Sequence, residues 1–327
     1  MKVATKYQTA VVPYGAGSSL EGSVIPDQGG ITIDFSRMNK ILVVYKDDFL
    51  VKVQPGVTLS QLDQELNKYG LFFTVDPGAD ATIGGMVATN ASGTNAVRYG
   101  SMRNQVRDLE VVLADGSVIH TGNMAAKSSS GYHLNGLFAG SEGTLGCFTE
   151  VTVQVRALPE KIMAARAEFD NEEDAVQAVI AIMQASIPIA RVELVDLQSI
   201  KQINRYNGTS YNEVPTIFME FHGNKAGLTQ DVTSMKEIVT ERNCKKIEFE
   251  TDIAARNRLW EVRHHAAYAF IHGYPEKRQM VTDVCLPISE LAGALTDART
   301  AVDQSNLIGG IVGHVGDGGE LSYYLDD

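Results

Sequence analysis

The chain reads as an α+β protein of two domains, on three observations. Two glycine-rich stretches, Pro13-Tyr14-Gly15-Ala16-Gly17-Ser18-Ser19-Leu20-Glu21-Gly22 and Asp76 through Gly93, stand in its first half. Around them short β-rich runs alternate with turns. Near residue 158 glycine thins out, and strands become separated by helices without Gly-rich connections, the pattern of an antiparallel sheet backed by helices.

In chain order, Thr9–Pro13 is a β-rich run entering the first glycine-rich stretch, and Gly30–Asp34, Ile41–Tyr45 and Phe49–Val53 read as strands. Thr58 is the N-cap of a helix on which Leu59, Leu62 and Leu66 recur at helical spacing until Tyr69-Gly70 stops it. Leu109–Leu113 and Val118–His120 flank Ala114-Asp115-Gly116-Ser117, a hairpin signal, and the later part of Leu145–Val155 alternates like a half-buried strand. Past Ala157-Leu158-Pro159-Glu160 come strand Ala164–Phe169 and a helix opened by Asn171-Glu172-Glu173-Asp174 and running through Met183. Its acidic first turn complements the helix dipole. Strand Ala190–Leu194, a helical piece over Leu197–Asn204, strand Thr216–Phe221, helix Leu228–Arg242 and strand-like Lys246–Glu250 follow. The boundary near 158 sets domains of 1–158 and 159–327.

A chain of 327 residues holds two domains, each with a core of its own, and 44% hydrophobic with 21% charged residues is an ordinary globular composition. The net charge of −12 argues against nucleic acid as a partner, since that needs a basic stripe to displace counterions. Cys147, Cys244 and Cys285 are unevenly spaced and form no C-x-x-C, which fits a reducing compartment. No apolar run approaches the ~20 residues of a membrane span. The expected location is cytoplasmic, with peripheral contact to the inner membrane left open.

The two glycine-rich stretches carry small and hydroxyl side chains and no Lys or Arg, so main-chain N–H groups can converge on an anion. Neither follows Gly-x-Gly-x-x-Gly or ends in Gly-Lys-Ser/Thr. Supplied by separate segments, they suggest a pyrophosphate cradle for a dinucleotide held outside a Rossmann fold.

Four segments of the first half together resemble the FAD domain of the vanillyl-alcohol oxidase (PCMH-type) superfamily: Val12–Gly22, Val75–Asp80, Thr89–Gly100 and Phe138–Gly146. Leu259-Trp260-Glu261-Val262-Arg263, Thr282–Ser289 and Gly313-His314-Val315-Gly316-Asp317-Gly318 extend the resemblance to its FAD-linked 2-hydroxy-acid branch, that of cytochrome-type D-lactate dehydrogenase and the glycolate oxidase flavin subunit. The resemblance implies a PCMH-type FAD-binding domain of two subdomains followed by a ferredoxin-like antiparallel cap domain. It also implies that the first domain lacks its N-terminal part and the cap its C-terminal part. The pattern breaks after Gly318, where the branch has a second histidine and this chain reads Gly319-Glu320-Leu321. The implied reaction oxidises a D-2-hydroxy acid, D-lactate first and glycolate next, by hydride transfer to flavin N5. Electrons then pass to a quinone, a cytochrome or another carrier. The alternatives are a non-enzymatic FAD-binding subunit or fragment, and a flavin alcohol oxidase of the same fold.

By that resemblance the cofactor-binding residues are Pro13, Tyr14, Gly15, Ala16, Gly17, Ser18, Ser19, then Asp76, Pro77, Gly78, Ala79, and Ile83, Gly84, Gly85. Thr89, Asn90, Ser92, Gly93, Arg98, Tyr99, Gly100, Glu142 and Gly143 complete the set. Asp76 and Asp80 also read as turn caps, and Arg98 serves equally well beside the cofactor or in a carboxylate pair. No histidine lies in the first stretch, so FAD is expected to be held non-covalently. Arg263 is the candidate clamp for the substrate carboxylate, because guanidinium binds carboxylate in a directional, two-point manner. Its other reading is a surface helix ion pair near Glu261, and Lys277 and Arg278 are weaker candidates for a second cation. His314, in a loop after the apolar run Ile308–Val312, is the candidate ligand for Zn or Mn, with Asp317 or Glu320 as substitute partners. His264 and His265 are adjacent and point in different directions on a helix.

Overall fold

The chain enters through a short helix, Lys2–Lys6 (α1), and then pairs Val11–Tyr14 (β1) in parallel with Ile31–Asp34 (β2). The computed structural model describes residues 1–326, the side chains of Ala267, Glu320 and Leu321 excepted. It divides into two compact units, Met1–Leu158 and Pro159–Asp327.

The first unit continues with Ile41–Tyr45 (β3), Leu50–Val53 (β4), Leu59–Asn67 (α2), Leu71–Phe72 (β5), Ile83–Ala88 (α3), Ala96–Tyr99 (α4) and Met102–Gln105 (α5). Val106–Val112 (β6), Val118–His120 (β7), Leu134–Phe138 (α6), Cys147–Gln154 (β8) and Arg156–Ala157 (β9) complete it. An antiparallel five-stranded sheet runs β3-β4-β8-β6-β7, and β5 pairs with β9. Thr58 closes a full capping box with Gln61 at the start of α2, satisfying two otherwise orphaned amides. Leu62 and Leu66, one turn apart, then lie buried against Val51, Val53, Leu109 and Val151 of the sheet.

Within Asp76–Gly93, read from sequence as a loop, Ile83–Ala88 is helical, with Thr82 as its N-cap. Gly84 and Gly85 are poor helix formers, but buried Ile83, Met86 and Val87 hold the turn onto the core, so packing overrides propensity.

The second unit contains Lys161–Glu168 (β10), Glu172–Gln184 (α7), Ile189–Val195 (β11), Leu197–Asn207 (α8), Thr216–Gly223 (β12), Lys225–Glu241 (α9) and Lys246–Glu250 (β13). Ile253–Gly273 (α10), Arg278–Cys285 (β14), Ile288–Asp303 (α11), Ile308–His314 (β15) and Gly319–Asp326 (β16) follow. The antiparallel sheet has the order β13-β10-β12-β11-β15-β16-β14. Its first four strands, with α7 and α9, form a ferredoxin-like unit, and the last three extend it beyond β11. Helices α8 and α10 pack together over the face that carries Ala164, Val195, Phe218 and Val312. Helices α7, α9 and α11 cover the opposite face. His314 is the last residue of β15, so strand backbone, not a loop, sets its direction.

Leu62→Ala should cost about 2–5 kcal/mol, the usual loss for emptying a fully buried leucine site. Urea midpoints of the two proteins, read on a first-unit probe, check this; a loss below about 1 kcal/mol would contradict the packing described.

Candidate functional site

In the first unit three segments meet around α3. A Cβ on Gly15 would overlap Thr82 Oγ1 and lie 3.9 Å from the Gly85 Cα, so the first glycine-rich loop rests directly on the start of α3. At the other end of that helix, the amides of Gly140 and Glu142 donate to the carbonyls of Val87 and Ala88, each at 2.9 Å. A Cβ on Gly143 would stand only 2.7 Å from Pro13 Cγ, which closes the ring back onto the first loop. Glycine is needed at both positions for this approach.

The donors divide unevenly among these segments. Among the described residues, no backbone N–H from Gly15 to Ser19 donates a hydrogen bond within the protein, and the same holds for Ser92 and Gly93. The amides of Ile83, Gly84 and Gly85 are already taken by Val57 O, Pro55 O and Thr82 Oγ1. The first loop and the Ser92-Gly93 turn therefore keep N–H groups unspent within the protein, whereas Ile83–Gly85 supply the surface the loop packs on. Ser141 Oγ is buried in the same ring with no hydrogen-bond partner among the described residues. A buried hydroxyl left this way awaits a partner.

Several sequence candidates build this ring. Asp76 accepts from Thr94 Oγ1 at 2.6 Å and from the Asn95 amide at 3.0 Å, while Asp80 accepts from the Ser60 amide at 2.9 Å; both organise turns. Asn90, at φ 49°, accepts through Oδ1 from Arg103 N (2.9 Å) and Ser101 Oγ (3.2 Å). Its Nδ2 donor makes no bond among the described residues. Arg98 lies 5.4 Å over the ring of Tyr99, which itself meets Phe72 edge-on, just before Gly100. Pro77 is half-buried and Gly78 and Ala79 are exposed.

In the second unit the site centres on a carboxylate absent from the sequence candidates. Glu193 of β11 is completely buried. Its Oε2 accepts from Arg263 Nε (3.0 Å) and Nη2 (2.7 Å), and its Oε1 is 2.6 Å from His314 Nδ1. Three elements contribute: α10 brings Arg263, β15 brings His314, and the β11–β15 ladder, paired at Leu194 and Gly313, sets Glu193 beside the end of β15. Arg263 is thus buried, and its surface ion-pair reading falls away. Burial alone would raise the Glu193 pKa, but the Arg263 and His314 charges beside it hold it below the ordinary value. For His314, burial works to lower the pKa, and the Glu193 carboxylate overcomes it and raises it. Burial also pushes up Asp317, three residues on. Arg263 Nη1 and His314 Nε2 make no hydrogen bond among the described residues.

A second anchor lies one turn back on α10. Trp260 Nε1 donates to Glu220 Oε2 of β12 at 2.8 Å, with His222 Nε2 2.8 Å from the other oxygen. The remaining candidates fall elsewhere. His264 and His265 meet Trp260 O (2.7 Å) and Asn207 Oδ1 (2.9 Å), and Arg278 is exposed at the start of β14. Glu193 was detectable in principle: Ile189-Ala190-Arg191-Val192-Glu193-Leu194-Val195 alternates so that Arg191 and Glu193 share one face of an otherwise apolar strand. Charges on a buried strand face signal a paired network.

Residues 1–122 match the family model described as "FAD binding domain", and residues 158–325 match "FAD linked oxidases, C-terminal domain". The chain is 42% identical to "Probable D-lactate dehydrogenase, mitochondrial" of Danio rerio, over 97% of this chain and 64% of that protein. It is 31% identical to "Glycolate oxidase subunit GlcD" of Bacillus subtilis (strain 168), over 97% of this chain and 68% of that one. The solved structure of an alkyldihydroxyacetonephosphate synthase shares the fold with a TM-score of 0.80 at 21% identity, over 99% of this chain and 67% of that one. The chain belongs to the PCMH-type FAD-linked oxidase family, in its D-lactate dehydrogenase and glycolate oxidase group. It spans less than two thirds of the length of the Danio rerio relative.

FAD is the cofactor of this family, and the first unit fits it: unused amides at Gly15–Ser19, an unpartnered Ser141 hydroxyl and a loop seated on α3 all suit a diphosphate. Among the described residues no three His, Cys, Asp or Glu side chains stand close enough to hold a metal ion, and His314 Nδ1 is engaged by Glu193. The Glu320 side chain lies outside the described residues.

Two outcomes follow. Gly15→Val should purify with less than about a tenth of the flavin bound to the parent, because its side chain forces the loop off Thr82, a displacement of the kind that costs roughly 100-fold. Absorbance at the flavin band per chain measures this, and full flavin content would contradict the cradle. The second outcome concerns pH. A raised His314 contributes stability below the ordinary histidine pKa of about 6.5, lost as pH rises through its folded value. A lowered Glu193 contributes above the ordinary carboxylate value of about 4.3, lost as pH falls through its folded value. The gap in denaturation midpoint between the parent and His314→Asn should therefore be widest near pH 5–6 and narrow toward pH 9; a gap constant with pH would refute the pairing.

Proposed function

We propose that this chain is an FAD-dependent dehydrogenase of D-2-hydroxy acids, with D-lactate the preferred substrate and glycolate next, passing electrons to a quinone, a cytochrome or another carrier. The observation that carries the reading is a buried guanidinium and an imidazole held by one carboxylate, Glu193, in a chain similar over 97% of its length to proteins named D-lactate dehydrogenase and glycolate oxidase. Arg263 presents Nη1 to the substrate carboxylate, as the fork geometry of guanidinium allows after Nε and Nη2 are spent on Glu193. His314, with Nδ1 held by the Glu193 carboxylate, presents Nε2 to the substrate's hydroxyl end. FAD, held non-covalently in the first unit, supplies the two-electron acceptor for the hydride leaving Cα.

No helix among the described residues is long and apolar enough to cross a membrane. A cytoplasmic location, peripheral to the inner membrane, belongs to this reading.

Anaerobic mixing of the flavin-loaded protein with D-lactate, glycolate and D-2-hydroxyglutarate should bleach the flavin, fastest with D-lactate. Absence of bleaching by all three would sink the reading. Arg263→Lys keeps the charge beside Glu193 but loses the fork, and should raise the apparent Kd for the acid about 10-fold or more; an unchanged Kd would remove Arg263 from substrate binding.

A further inference from the structure

We propose that the second unit holds a binding site for a small α-amino acid in its zwitterionic form, in a cavity between the start of α10 and the edge strand β13. The cavity has a volume of about 120 Å³, and its walls include Arg166, Tyr211, Glu248, Glu250, Arg258 and Leu259. None of these belongs to the Glu193 cluster, so the site does not depend on the reaction assigned to that cluster.

The charges around the cavity identify the ligand. Glu248 is already spent: its Oε2 accepts from Arg166 Nη2, and its Oε1 lies 2.6 Å from Lys246 Nζ. Arg166 is buried, with its guanidinium 4.4 Å from the centre of the Tyr211 ring. Its Nη2 also meets Glu168, while its Nε and Nη1 donate to nothing among the described residues. Arg258 of α10 and Glu250 of β13 line the same cavity, yet neither makes a hydrogen bond or an ion pair among the described residues. Opposite charges that share a cavity without touching leave a gap that one molecule carrying both signs can bridge. A simple anion meets the carboxylates of Glu248 and Glu250, and a simple amine meets two guanidiniums, so like charge works against each. An α-amino acid holds ammonium and carboxylate on one carbon, and its carboxylate is the planar partner that guanidinium grips at two points. Volume limits the side chain: at roughly 30 Å³ per water the cavity has room for about four waters, the space of an alanine- or serine-sized molecule. Leu259 provides an apolar wall for a methyl group. The bound molecule joins the first turns of α10 to β13, so occupancy adds thermal stability.

Calorimetric titration of the full FAD-loaded chain with L-alanine tests this, with acetate and methylamine as probes of either charge alone. L-alanine should bind one to one with a Kd of about 1 mM, within the range open to a ligand of about six non-hydrogen atoms, and should raise the Tm. Acetate and methylamine should each bind about 10-fold more weakly or worse. Arg258→Gln and Glu250→Gln should each raise the Kd for L-alanine about 10-fold or more, because either change leaves one charge of the ligand unpaired. Arg263→Lys should leave that Kd unchanged, which separates this cavity from the Glu193 cluster. No binding of L-alanine at about 50 mM overturns the site, as does acetate held as tightly as L-alanine, or either cavity variant within about twofold of the parent. A Kd that moves with Arg263→Lys and not with Arg258→Gln also overturns it, since alanine then sits at the other cluster. Should a cavity variant fail to fold, the comparison of L-alanine with acetate and methylamine on the parent decides alone.

Discussion

The second unit depends on a carboxylate that has no access to water. Glu193 is completely buried on β11 between Val192 and Leu194, and an ion there costs several kcal/mol in lost hydration. That cost is offset only while donors from Arg263 and His314 address its two oxygens, so both residues are held in place by the same requirement that keeps the strand folded. Trp260 repeats the arrangement one turn earlier, against Glu220. Helix α10 is thereby indexed to the sheet in both position and rotation. A merely greasy interface would permit it to slide, since apolar contacts are non-directional.

The first unit reaches its geometry by a different route. No buried charge organises the ring around α3; close backbone approach does. Gly15 on Thr82, Gly143 on Pro13, and the amides of Gly140 and Glu142 on the carbonyls that end α3 bring three segments together. The consequence is chemical: hydrogen-bonding capacity is used up where segments join and left over along Gly15–Ser19. A dinucleotide diphosphate is large, doubly anionic and poorly served by one lysine, and a run of unspent amides matches it without importing a mobile charge. Asp76 and Asp80 belong to the scaffold of the ring, where their acceptors stiffen turns.

Local patterns made much of the architecture legible. The apolar run Ile41–Tyr45, the alternation over Lys246–Glu250 and the capped repeat after Thr58 report physics that acts between near neighbours, and the structure has elements over those same residues. Helix α3 was hidden because two glycines outweigh a short apolar pattern until the core packs on it. The long helix α10 carries polar residues and histidines around much of its circumference, since it buries both apolar and ion-paired groups, and so shows no clean stripe. Arg263 and His314 were visible as residue types that bind anions or protons. What each binds was not visible, because Glu193 lies 70 and 121 positions away from them.

The amino-acid sequence by itself determined the two-part organisation, the run of strands and helices, and the presence of small-residue loops suited to a diphosphate. These follow from spacing, turn chemistry and side-chain volume, all of which act within a few residues. Only the tertiary structure decided which loop keeps its amides, that the cluster of α10 and β15 is centred on a strand carboxylate, and that His314 is engaged at Nδ1. Those outcomes are set by burial, where a charge must find its partner wherever in the chain that partner happens to be.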